Sequence, residues 1–234
     1  MGVTLGILSQ YQISTSIMPV ANAIEESQDP RSNLLQAISE SKADDIVLDA
    51  IEKLLPLNPA KQGGSDATCK EDLDGEWKLI WSMNDDFSPL LRLPKPFKPD
   101  SYQYFGKAAS IEVGDGRVAQ GLTGGILGTK QAWLSSGIEP APGTDPYALE
   151  IEPPFRFQLG GRYLTGKPKK TIVEAKNDAD FRKVNARSVE AQQAPKNIYK
   201  QLYVERNGKG SLRISKITDG DPVIVGAILI HEKL

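Results

Sequence analysis

The 234-residue sequence has one cysteine, Cys69, and one histidine, His231. A lone cysteine excludes an intramolecular disulfide and a cysteine-based zinc cluster. A lone histidine excludes every mechanism that needs two. An excess of either charge is also missing. Lys and Arg total 28 against 30 Asp and Glu, a net charge of -2, so no overall basic field exists to hold nucleic acid. No G-x-S-x-G turn is present, and His231 is the fourth residue from the C-terminal end, so nucleophilic catalysis finds no support. It is expected to be a surface or strand-end histidine. Cys69 lies in a linker where only Lys70 is close in sequence, and it reads as a free thiol with little to do. No catalytic residue, cofactor or metal is expected.

Hydrophobic residues make up 39% and charged residues 25% of the chain, a balance that suits a globular domain. Glycine (21) and proline (16) are frequent, which points to many turns and so to β-structure. Residues 1–24 carry no charge, but polar residues from Ser9 to Ser16 interrupt them. They lack the run of about 20 apolar residues that a spanning helix needs. Ala21-Asn22-Ala23 has the A-x-A form that signal peptidases cut, without a positive n-region before it. The segment 1–23 therefore reads either as the later part of a targeting signal or as a disordered N-terminus.

Asp29-Pro30 has the form of a helix cap with proline at the first helical position. Leu34, Leu35 and Ile38, then Val47, Ala50, Ile51 and Leu54, follow helical spacing, with a break near Ser41. Pro56 and Pro59 end the pattern. Residues 30–60 form a helical lead, 61–72 a linker and 73–234 a β-domain. Along the β-domain the period is two. Trp77, Leu79 and Trp81 share a face by parity. Further strands are expected over 102–105, 108–113, 117–122, 131–135, 147–151, 155–159, 171–175, 198–205, 211–216 and 223–230. Asp115-Gly116, Asn207-Gly208 and Asp219-Gly220 are tight-turn signals. Short turns in sequence order make an antiparallel meander, and its length favours an up-and-down barrel.

Two glycine-rich stretches fail as nucleotide sites. Gly114-Asp115-Gly116-Arg117-Val118-Ala119 fits G-x-G-x-x-A but stands between strand-like runs. Gly128-Thr129-Lys130 inverts the phosphate-loop order. Asp85 and Asp86 read as a solvated acidic pair rather than a cation site.

Gly75-Glu76-Trp77 at the first strand resembles the G-x-W that seals the closed end of lipocalins, where an arginine from a late strand stacks on the indole. Arg213 stands at a suitable place. Gly75, Trp77 and Arg213 are then floor residues; the alternative makes Trp77 an ordinary core residue and Arg213 a solvated one. Over residues 30–83 and 198–216 the sequence resembles the plastid lipid-associated protein (fibrillin) family. The resemblance rests on Leu34-Leu35-x-x-Ile38, Ile51-Glu52-x-Leu54-Leu55 with Asn58-Pro59, and the run Leu73 to Ser82. It continues in Tyr203-Val204-Glu205 and the run Gly210 to Lys216. The late motif departs from the family after Lys216, and residues 84–197 carry no alignable signature.

That resemblance implies a mainly β fold, an antiparallel lipocalin-like up-and-down β-barrel preceded by a short helical N-terminal segment. It implies a non-enzymatic binder or organiser of prenylquinones, carotenoids or fatty acids at chloroplast thylakoids or plastoglobules. The expected partners are an apolar small molecule or lipid, the membrane surface itself and a membrane protein complex, with no nucleic acid. Burying about 300 Å² of an apolar chain contributes roughly 7 kcal/mol before ordering costs. Parity and size nominate Leu79, Trp81, Trp133, Phe155, Phe157, Tyr199 and Tyr203 as inward-facing ligand contacts. Leu90, Leu91, Arg92, Lys95, Phe97 and Lys98 lie in a proline-broken loop that mixes apolar and basic residues. Such a loop suits an anionic bilayer surface, or else folds back as a plug.

Two other readings stand beside the lipid binder: a packed barrel acting as a scaffold for a membrane complex, and a small-barrel enzyme with a buried carboxylate or tyrosine. The Ala21-Asn22-Ala23 site points to the thylakoid lumen, whereas the family resemblance points to the stromal side.

Overall fold

The structure is a computed structural model. It describes residues 29–59, 73–83, 93–105, 118–141, 148–151, 156–160, 162–165, 195–206 and 208–234, with only the backbone of 139–140, 156–157 and 163–165.

Two helices lead the chain, α1 (Pro30–Ser39) and α2 (Asp44–Leu54). The Asp29 side chain accepts a hydrogen bond from the Ser32 N–H at 3.3 Å, so the cap forms where the Asp-Pro pair places it. Ser41 adopts a φ of 52° and reverses the chain between the helices. Asp44 and Asp45 begin α2, and Lys53 ends it, in the order that the helix dipole favours.

The strands are β1 (Gly75–Ser82), β2 (Asp100–Phe105), β3 (Val118–Thr123), β4 (Gln131–Ser136), β5 (Ile138–Pro140) and β6 (Ala148–Ile151). They continue as β7 (Arg156–Leu159), β8 (Arg162–Thr165), β9 (Asn197–Val204), β10 (Leu212–Asp219) and β11 (Ile228–Lys233). All pairings are antiparallel, and the order is β5-β6-β9-β10-β11-β1-β2-β3-β4-β7-β8. β4 and β5 are separated only by Gly137. β4 pairs with β3 and β7, while β5 pairs with β6. The pairing circuit thus returns on itself, and the sheet is curled and barrel-like. Strands expected at 108–113 and 171–175, and Asp115-Gly116, lie outside the described residues.

Burial divides the molecule into an inside and two outside faces. Trp77, Phe105, Val118, Ile138, Leu149, Ile151, Tyr199, Ile217 and Leu229 form a cluster drawn from eight strands, which is the inner face. Leu34, Val47, Ile51 and Leu54 of the helices pack on Tyr203, Leu212, Ile214 and Ile230, on the outside of β9, β10 and β11. Tyr104, Ala119 and Trp133 make a smaller outer cluster on β2–β4.

Two bulges set which side chains reach the inside. The β1–β11 register shifts between Leu79 and Trp81. The β9–β10 register shifts between Ile214 and Ser215, so that Val204 faces Arg213 but Gln201 faces Ser215. Each bulge reverses the parity beyond it. The last strand also differs from expectation. Residues 222–226 are a turn and β11 begins at Ile228, because Pro222 supplies no N–H and Gly226 sits at φ 93°. Asp219-Gly220 therefore opens a longer connection rather than a two-residue turn.

Candidate functional site

A buried cluster assembles around Trp77 at the start of β1. The indole Nε1 donates to the Leu73 carbonyl at 2.8 Å, and the side chain is fully buried. The Arg213 guanidinium lies 5.2 Å from the Trp77 ring and 4.9 Å from the Phe105 ring. Its Nη2 donates to Gln103 Oε1. Gly75 enters β1 at φ 130°, and a Cβ there would stand 2.8 Å from Lys233 Cε. The position therefore favours glycine on both backbone and space grounds.

Beside this cluster the inner faces of β9, β10 and β11 carry polar side chains among Tyr199, Ile217 and Leu229. Gln201, Arg213, Ser215 and His231 are all buried. Register puts Gln201 opposite Ser215 and Arg213 opposite His231. Burial pushes the Arg213 pKa down to about 9, against the pull of Tyr199, and it remains a cation at pH 7. Burial, then the Arg213 charge, push His231 well below the usual imidazole range. Burial raises the Tyr199 phenol to about 12, opposed by Arg213 and a hydrogen bond with Gln120. The expectation of a surface or strand-end histidine is corrected: His231 lies on β11 and is 2% exposed. It pairs with Arg213 on an inward-facing row, and being near the chain end does not make it a surface residue.

The row Trp77, Gln103, Gln120, Leu134 runs across β1 to β4 by direct pairing. Trp77 is fully buried at one end of the row, whereas Leu134 is 37% exposed at the other. The inner face therefore opens to solvent along this row.

Leu79 and Tyr199 belong to the inner cluster as parity implies. Three other expected ligand contacts do not. Trp81 lies beyond the β1 bulge and packs with Ile80 against the helical side. Tyr203 lies beyond the β9 bulge, also on the helical side; its hydroxyl donates to Glu205 Oε1 at 2.9 Å. Trp133 pairs with Gly121 and belongs to the outer cluster, 4.6 Å from the Tyr104 ring in an edge-on contact. Phe155 and the side chain of Phe157 lie outside the described residues. Gln201, Ser215 and His231 were missed. Ser215 shares the parity of Arg213 and Gln201 that of Tyr199, so both were within reach of the same argument; what no local pattern marks is the bulge that turns Tyr203 outward.

Of the basic loop, Leu90, Leu91 and Arg92 lie outside the described residues. Lys95 and Phe97 sit in an exposed turn followed by Lys98, with Phe97 56% exposed. The β3–β4 turn meets it: the Ile126 N–H donates to the Phe97 carbonyl at 2.8 Å. Ile126, Val223 and Val225 add exposed apolar side chains from two other turns at the same end of the strands. A separate cleft of about 580 Å³ lies outside the sheet, between the α1–α2 turn and β1–β2. Trp81, Lys42, Lys78, Lys95 and Lys98 line it. Lys78 is paired with Asp100 at 3.1 Å and Lys42 with Glu40 at 3.0 Å.

Among the described residues, no group of three or more His, Cys, Asp or Glu side chains could hold a metal ion. No described helix is long and apolar enough to cross a membrane. No protein-family model matches the chain, and neither a curated protein nor a solved structure matches it.

Proposed function

We propose that the chain is a non-enzymatic, fibrillin-like plastid protein. In this reading it binds or organises an apolar lipid or isoprenoid inside its curled sheet, at the surface of thylakoids or plastoglobules. The observation that carries this reading is the inward-facing row that ends on Leu134. An apolar side chain that faces inward and stays 37% exposed marks a mouth through which an apolar chain enters. The exposed Phe97, Ile126 and Val223 beside Lys95 and Lys98 support a membrane-facing end. The family reading gains support because its motif residues have linked tasks here. Asn58 bonds to β9, Glu205 receives Arg31, and Arg213 covers Trp77.

A second reading, a packed barrel that docks a membrane complex, is favoured by the Arg213–Gln103 hydrogen bond, which joins the inner faces of β10 and β2.

Tryptophan fluorescence during titration with decylplastoquinone separates the two. Saturable quenching that Leu134→Glu abolishes and Lys216→Ala preserves supports the binder. Absence of saturable quenching favours the packed scaffold.

A further inference from the structure

Five buried side-chain atoms among the described residues have no hydrogen-bond partner; Ser211 Oγ stands just before β10, and the other four lie on the inner face of the strands: Gln201 Oε1, Arg213 Nε, Ser215 Oγ and His231 Nδ1. These four residues are each at least 98% buried, with 2, 2, 1 and 2% exposure. They form one patch, because Gln201 pairs with Ser215, Arg213 pairs with His231, and Arg213 and Ser215 are two apart on one strand. A buried polar atom left unpaired loses its hydration without a hydrogen bond in return, and the cost is larger when the group is charged. Four side by side are therefore not explained by packing.

The charge on the patch is also uncompensated. The buried carboxylates among the described residues are Glu150 and Glu205. Lys196 holds the first and Arg31 the second, and both lie away from the inner face. Arg213 has aromatic rings and an amide around it, but no described anion.

We propose that this patch receives the carboxylate of a fatty-acid-like ligand whose chain runs past Leu79 towards Leu134. This deepens the lipid-binding reading above and rests on it. A carboxylate supplies the missing negative charge and two acceptor oxygens. Arg213 Nε–H and Ser215 Oγ–H are the partnerless donors of the patch that its oxygens would take, whereas Gln201 Oε1 is an acceptor that a carboxylate leaves unpaired. A quinone or carotenoid supplies no charge, so it leaves the cation uncompensated. Leu79 packs on the inner cluster and is only partly buried, which places apolar surface between the patch and the open row.

The test titrates the full chain with cis-parinaric acid and, separately, its methyl ester, following the polyene fluorescence. The acid is expected to saturate and to bind about tenfold or more tightly than the ester. Ser215→Ala is expected to weaken the acid by about threefold to tenfold and to leave the ester unchanged. This variant deletes one oxygen and spares the Arg213–Trp77 contact, so thermal melting serves as its folding control. Arg213→Gln is expected to remove the preference for the acid. Equal binding of acid and ester, insensitive to Ser215→Ala, overturns the carboxylate site while the lipid-binding reading stands. Binding of neither probe overturns both.

Discussion

Asn58 holds the β9 bulge at Leu202 with both ends of its carboxamide. Nδ2 donates to the Leu202 carbonyl at 3.0 Å, and Oδ1 accepts from the Val204 N–H at 3.2 Å. A bulge takes backbone groups out of the ladder, and buried groups of that kind need another partner. Asn58 follows the short 3-10 turn Leu55–Leu57 after α2, so the helical lead is tied to the place where β9 changes parity. Gln201 on one side of that bulge and Val204 on the other both pair with inward-facing residues of β10.

Asn58→Ala is expected to lower stability by about 1–3 kcal/mol, since two backbone partners are lost at once. Urea unfolding reads the loss. A change under about 0.5 kcal/mol would show that water replaces the amide without penalty.

Glu205 fastens the other end of the lead. It receives Arg31 Nε at 2.9 Å and Nη2 at 3.3 Å, the Tyr203 hydroxyl at 2.9 Å and the Leu212 N–H at 2.8 Å. Glu205→Ala is expected to cost about 2–3 kcal/mol, because the buried Leu212 N–H loses its carboxylate partner. Hydrogen exchange should quicken across α1. Unchanged exchange there would mean that the apolar helix face alone docks α1.

Trp133 occupies the space above Gly121. A Cβ at Gly121 would stand 2.2 Å from the Trp133 ring. Gly121→Ala is expected to destabilise the fold by about 1–3 kcal/mol through overpacking. Adding Trp133→Leu should recover part of that loss. Additive costs in the double variant would contradict the contact.

His231 makes stability depend on pH in a known direction. Its folded pKa is depressed by burial and by Arg213 on the neighbouring strand. Below about pH 6.5 the unfolded chain binds a proton that the folded chain refuses. Stability is then complete above that pH and falls by about 1.4 kcal/mol per pH unit beneath it. As the chain has one histidine, His231→Gln should flatten the slope between pH 6.5 and 5.5. An equal slope in this variant would place the proton elsewhere.

The helical lead was legible because its signals are local. Asp29-Pro30 specifies the cap, and the spacing of Val47, Ala50, Ile51 and Leu54 specifies the buried stripe. The Trp77–Arg213 contact was legible from the opening G-x-W and a late arginine of suitable placement. The assignment of Trp81 and Tyr203 was not, because period-two reasoning carries only as far as the next bulge. Trp133 failed for a different reason. A large aromatic on a strand marks a buried surface, and a curled sheet covered on its outer side has buried surfaces on both faces. Ile126 joins Phe97 at the rim through a contact between separate turns, which no local motif records.

The most direct test of an apolar ligand inside the sheet is anomalous diffraction from crystals of the chain grown with 9,10-dibromostearate. The expected result is bromine density inside the curled sheet, between Leu79 and Leu134. Bromine confined to the outer cleft beside Trp81 would contradict the interior site, and so would crystals in which the ligand occupies neither place.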